Sequence, residues 1–175
     1  MRFKAGDKVL LFPNEFKDIT VSEFGQIVNK LDKNKKLTDK DIFSIFCNTQ
    51  EEEFNEFFAK DVSKVLSKLN WLDTLVDDCA WLLKDKKKYI FINDRRFNYK
   101  HFKTSNLTIG NIATIEEVIK EKNYTNRVCT LVSELIKGDD SLVEYLKTQP
   151  CVNVIPLFNF FLKKLQRTQL ASLKK

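Results

Sequence analysis

The residues able to do chemistry are few and scattered. One histidine, His101, and four cysteines, Cys47, Cys79, Cys129 and Cys151, are the only groups of their kinds in 175 residues. A cysteine nucleophile needs an imidazole beside it to take its proton, and no thiol adjoins His101 in sequence. A structural zinc site needs pairs of ligands at short spacing, such as C-x-x-C, and no two cysteines here have it. Each thiol sits among apolar neighbours, as in Ile45-Phe46-Cys47 and Val128-Cys129. They read as buried, unreactive thiols rather than disulfides, and His101 reads as a structural side chain. Carboxylates come as Asp77-Asp78, Asp139-Asp140 and Glu51-Glu52-Glu53. Adjacent residues on a helix point apart, so these do not converge on a substrate. They read instead as turn and helix-start residues, where the helix dipole favours negative charge. Gly110 and Gly138 stand alone, so no glycine-rich phosphate loop is present. The residues therefore point to no catalytic group, metal or cofactor.

Positive charge is the other candidate chemistry. Lys84 to Lys88, Arg95-Arg96, and the group Lys163, Lys164, Arg167, Lys174 and Lys175 form three basic features. Arg95-Arg96 beside Phe97 and Tyr99 would suit a ribbon that holds phosphate and stacks bases. The simpler reading is a half-buried hairpin whose alternate residues face solvent. The C-terminal basic stretch is amphipathic, a pattern suited to a membrane surface or a partner's groove. The net charge of +6, from 30 basic and 24 acidic residues, permits acidic partners without demanding them.

These groups have to be positioned by a fold, and the composition bounds it. The chain suffices for one ordinary domain or two small ones. With 43% hydrophobic and 31% charged residues it is expected to fold. Fifteen phenylalanines, against one methionine and four glycines, predict a core of interlocking rings. No secretory signal and no membrane span are expected, because no apolar run approaches the ~18 residues a span needs.

Hydrophobic spacing predicts a mainly α fold, or α+β with a minor hairpin, arranged as a helical bundle. Tyr89 to Tyr99, with Asn93-Asp94 at its centre, is the clearest strand pair. Lys8 to Phe12 reads as a further strand that could join it in a three-stranded sheet. Helix starts are marked by capping-box spacings at Thr20/Glu23, Thr38/Asp41 and Thr49/Glu52, and by Thr108 and Thr125. The stripes that follow are Phe24, Ile27, Val28 and Leu31; Ile42, Phe43, Ile45 and Phe46; Phe54, Phe57 and Phe58; and a long stretch from Asp61 to Leu83. In the second half they are Ile112, Ile115, Val118 and Ile119; Val128, Leu131, Val132, Leu135 and Ile136, ended by Gly138; Ser141 to Leu146; and Val152 toward Leu173.

Ile19-Thr20-Val21 lines up with Leu107-Thr108-Ile109, Ile27 with Ile115 and Leu31 with Ile119, all at an offset of 88. This suggests a duplicated helical unit, with residues 1–88 as one repeat and 89–175 as hairpin plus second repeat, the two able to form one domain. The alternative is chance likeness between helix starts, since threonine is a common cap.

The stretch Tyr-Ile-Phe-Ile-Asn-Asp-Arg-Arg-Phe from Tyr89, followed by Tyr-Lys-His-Phe-Lys-Thr-Ser-Asn-Leu-Thr-Ile-Gly-Asn-Ile from Tyr99, resembles small virion or tail-assembly proteins of tailed phages of Bacteroidales, the crAss-like group included. Ile19-Thr20-Val21-Ser22-Glu23-Phe24 fits the same helix start. The resemblance implies a non-enzymatic role as packaged cargo, tail or neck component, or assembly chaperone. It implies other phage structural proteins as partners, several copies per assembly, and a place in the virion or the host cytoplasm. The expected partner-binding residues are Arg95, Arg96, Phe97 and Tyr99 on the hairpin, and Phe160, Phe161, Lys164 and Arg167 on the last helix. The alternative is a nucleic-acid-binding accessory protein that uses the basic hairpin.

Overall fold

A computed structural model describes residues 1–5, 8–34, 36–72, 90–92, 95–97, 103, 107–136 and 140–172. The fold is mainly α with minor β, as the spacing predicts. Two strands, β1 (Arg2–Ala5) and β2 (Lys8–Leu11), open the chain. A 3-10 turn (Phe16–Asp18) leads into α1 (Val21–Asn34), α2 (Asp39–Cys47), α3 (Glu51–Asn55) and α4 (Ala59–Leu66). Strands β3 (Ile90–Ile92) and β4 (Arg95–Phe97) follow. Then come α5 (Ile109–Lys120), α6 (Tyr124–Leu135), α7 (Asp140–Thr148) and α8 (Cys151–Ser172).

The predicted three-stranded sheet does not form. β2 pairs antiparallel with β1, Arg2 opposite Leu11 and Ala5 opposite Lys8, while β3 pairs with β4 in a separate two-stranded sheet. Pairing between neighbours in the chain closes a far shorter loop than pairing with residues 89–99. The alternation in Arg2-Phe3-Lys4-Ala5 was the signal for β1. Phe3 and Leu10, opposite each other, face inward, and Phe12 follows them into the core.

Helix α6 sits at the centre and packs against α1, α5, α7 and α8. Thr125, Val128, Cys129, Leu131, Val132, Ser133 and Leu135 are all buried, so more than one face of this helix is covered. Rings interlock around Phe43 and around Phe24. Phe43 meets Phe12, Phe54 and Phe57 at centroid distances of 5.0, 5.1 and 5.7 Å. Phe16, Phe24, Tyr124 and Phe158 form a chain of edge-on contacts at 5.9, 5.8 and 6.1 Å. Such geometry matches positive ring edges to negative faces.

A reciprocal pair of backbone bonds fixes the start of α1 against the start of α8. Val21 N donates to Gln149 O (2.9 Å), and Cys151 N donates to Ile19 O (2.7 Å). The first amide of each helix, which has no partner within its own helix, is thereby satisfied by the segment preceding the other.

Three helix starts carry threonine boxes, two at the predicted pairs Thr20/Glu23 and Thr38/Asp41 and one at Thr108, where the spacing predicted only the cap. Glu23 accepts from Thr20 N, Asp41 from Thr38 N, and Asn111 from Thr108 N, while each threonine hydroxyl accepts the returning amide. Two of the boxes are also tied to a neighbouring helix by opposite chemistry. Asp41 Oδ1 pairs with Lys30 of α1 (2.6 Å), whereas Asn111 Nδ2 donates to Glu134 of α6 (2.6 Å). Two predicted starts shift. Gln50, not Thr49, precedes α3, and the Thr49 hydroxyl is buried without a hydrogen-bond partner. Asn123, not Thr125, caps α6, which turns Thr125 inward against α1.

Burial alone would raise the Asp41 pKa, but the Lys30 ammonium and the hydroxyl and amide of Thr38 outweigh it and hold the carboxyl below its ordinary 3.8. A carboxyl held lower in the folded state contributes stability that is present above the unfolded value and lost as pH falls through the folded one. Asp41→Asn is expected to keep the box, as Asn111 does, and to lose only the Lys30 pair, costing under about 1 kcal/mol at neutral pH. Acid titrations of Tm for the two proteins should converge below pH 4. Parallel curves there would remove Asp41 from the account.

Candidate interaction surfaces

The predicted binding residues fall into two groups on different elements. Arg95, Arg96 and Phe97 form β4, where Ile92 pairs with Arg95, Phe91 with Arg96 and Ile90 with Phe97. Phe91 and Arg96, opposite one another, are both exposed. Tyr99 lies outside the described residues, as does His101. On α8, Phe160, Lys164 and Arg167 recur at i, i+4 and i+7 and so share one face. Phe160 is half-buried, Arg167 is exposed, and Lys164 Nζ stands 5.7 Å from the Phe160 ring centroid. Phe161 departs from the expectation: it is 1% exposed and belongs to the core, because one residue along a helix turns the side chain by about 100°. Among the described residues, no extensive packing joins β3 or β4 to α8.

Comparisons of the chain with protein-family models, with curated proteins and with solved structures find no match.

Several apolar side chains that the spacing assigned to the core are in solvent. On α5, Ile115 is buried, but Ile112 and Ile119 are 44% and 38% exposed. Their counterparts at the offset of 88 are Phe24, buried, and Leu31, half-buried. The two exposed isoleucines lie two turns apart on one face of α5. Phe58, read as part of a single stripe with Phe54 and Phe57, instead precedes α4 and is 74% exposed. The chain turns after Asn55, so helical spacing no longer relates Phe58 to Phe54. Val9 and Leu11 on β2 are also exposed, opposite Lys4 and Arg2. The sequence signal for these sites was present only as apolar residues in excess of one face.

Among the described residues no group of three His, Cys, Asp or Glu could hold a metal ion, and no helix is long and apolar enough to cross a membrane. The thiols at Cys129 and Cys151 are buried, and Cys47 is half-buried with its Sγ directed at Leu11 O (3.4 Å). Burial pushes the Cys129 thiol up to about 12 and Cys47 up to about 11. The thiolate is the reactive form. In native protein at pH 8, iodoacetamide is therefore expected to spare Cys129 and to modify Cys47 far more slowly than a free cysteine, with both labelled at once in denaturant. Rapid native labelling at either position, mapped by mass spectrometry, would contradict this.

Proposed function

We propose that this chain is a non-enzymatic binding protein that works in phage particle assembly, as a virion component, packaged cargo or assembly chaperone. The observation that carries the binding part of this reading is the uncovered stripe of α5. Ile112 and Ile119 present apolar surface along one helix face, whereas the matching stripe of α1 is packed. A helix in a folded chain gains by covering such a stripe, and an outside partner can do so. Phe160, Lys164 and Arg167 on α8 supply a second strip, apolar at one end and cationic at the other. The phage setting comes from the resemblance of the segment from Tyr89 to Ile112 and of the start of α1.

The test is copurification. The tagged chain, produced in a Bacteroidales host during infection by a tailed phage of the crAss-like group, is expected to band with particles or assembly intermediates in a density gradient. Ile112→Asp with Ile119→Asp should release it while leaving its circular dichroism unchanged. A wild-type chain that stays at the top of the gradient in every fraction series would end the reading.

The exposed pairing of Arg96 with Phe91 favours one alternative, contact with single-stranded nucleic acid. Retention on DNA that falls with salt and disappears in Arg95→Ala/Arg96→Ala would select it.

A further inference from the structure

A cleft of about 610 Å³ opens between the C-terminal half of α1 and the junction of α5 with α6. Asn29, Asp32 and Lys33 line one side, and Lys120, Glu121, Lys122, Asn123 and Arg127 the other. The size lies within the roughly 300–1,000 Å³ of small-molecule sites.

The walls are fixed by hydrogen bonds. Asn29 Oδ1 accepts from Tyr124 N (3.1 Å), which ties α1 to the first turn of α6. Glu121 Oε1 accepts from Asn123 N (2.9 Å), and Asn123 Oδ1 accepts from Asn126 N (3.1 Å). The Arg127 guanidinium stands 5.3 Å from the Tyr124 ring centroid, and its Nε is buried without a hydrogen-bond partner.

Charge in the cleft is unbalanced. Four cations face two carboxylates, and one of those, Glu121, is already engaged by a backbone amide. Among the described residues Lys33, Lys120, Lys122 and Arg127 make no ion pair, although Lys8, Lys17, Lys30, Lys40 and Lys147 each rest on a carboxylate. Like charges gathered without counter-charge repel. An anion would relieve this. A carboxylate ligand brings one negative charge, whereas a phosphate monoester brings about −1.5 to −2 and three acceptor oxygens, which matches the surplus of two. Guanidinium and ammonium groups are also the usual phosphate donors.

The geometry points to this cleft as the binding site for the phosphate group of a small phosphorylated molecule. Lys33, Lys120 and Lys122 neutralise the group, Arg127 adds a fourth cation, and Asn29 and Asn123 fix the walls.

The experiment is an NMR titration of the full chain with inorganic phosphate, with acetate as the carboxylate control and a short oligothymidylate as the polymer control. Phosphate is expected to give saturable shifts centred on the Asn29 and Asn123 side-chain amides, and acetate none. Lys120→Ala/Lys122→Ala, which changes two exposed side chains, should raise Kd by at least about tenfold with Tm unchanged. Arg127→Lys, which keeps the charge and replaces the planar guanidinium by a single ammonium, should also weaken binding. The assignment falls if phosphate produces no saturable shift at these residues, if acetate matches it, or if the double variant titrates like wild type. It falls equally if oligothymidylate binds in the cleft with affinity that grows with length, since the ligand class would then be nucleic acid.

Discussion

Gly25→Ala should be among the most damaging single substitutions in this chain, lowering stability by about 3 kcal/mol. Gly25 lies where α1 crosses α6, and a Cβ there would stand 1.9 Å from Thr125 Oγ1, 2.9 Å from Thr125 N and 3.0 Å from Thr125 Cβ. Two of those atoms cannot be swung aside, since one is backbone and the other is anchored to it. Nor can α1 readily slide away, because its first amide is held by Gln149 O and its Lys30 by Asp41. Alanine would favour the helix by about 1 kcal/mol through propensity, but the contact is the larger effect. At about 2–4 °C per kcal/mol for a chain of this size, Tm should fall by roughly 6–12 °C. Gly110→Ala is the control. Its Cβ would meet only Thr108 Oγ1 at 3.7 Å, so α5 should be unaffected or slightly stabilised. Removing the obstructing hydroxyl in Gly25→Ala/Thr125→Ala should restore part of the loss, a coupling that separates the clash from any other defect. A Gly25→Ala protein that melts with wild type would mean the two helices do not meet closely here.

The close approach at Gly25 was hidden in the sequence, and the reason is general. Periodicity shows which residues want a core, and the boxes at Thr20, Thr38 and Thr108 show where helices begin, because both signals are local. Which helix a glycine will face is a long-range fact. β2 is a different case: its apolar run was legible, but its partner β1 lies next to it in the chain and is marked only by the short alternation Arg2-Phe3-Lys4-Ala5. Thr49 and Thr125 have the composition of caps but lose the position, Thr49 to Gln50 one residue later and Thr125 to Asn123 two residues earlier. The long-range limit also explains α5. Its spacing matches α1 at the offset of 88, yet only Ile115 finds the cover that Ile27 has, and Ile112 and Ile119 are left outward. The cleft beside α6 was less legible still. Lys33, Lys120 and Arg127 are unremarkable in sequence and become a group only when α1 is laid against the α5–α6 junction.

The neighbouring rings Phe160 and Phe161 allow core and surface roles on α8 to be separated by experiment. Phe161, 1% exposed, is expected to cost about 3–5 kcal/mol when replaced by alanine, since both the transfer free energy and the resulting cavity count against the variant. Phe160 is half-buried and meets Phe161 edge-on at 5.7 Å, with Lys164 above its ring. Phe160→Ala should therefore cost less, about 1–2 kcal/mol, since only part of its ring is withdrawn from water. If the strip of Phe160, Lys164 and Arg167 binds a partner, Phe160→Ala and Lys164→Ala will weaken capture of that partner at temperatures where both variants are fully folded by circular dichroism. Phe161→Ala will lose capture only in step with its unfolding curve. Binding that survives Phe160→Ala and Lys164→Ala would leave the Ile112 and Ile119 face of α5 as the surface to which the partner holds. In that case α8 serves only to complete the core around α6, and its outward phenylalanine is the rim of a packed helix rather than a contact.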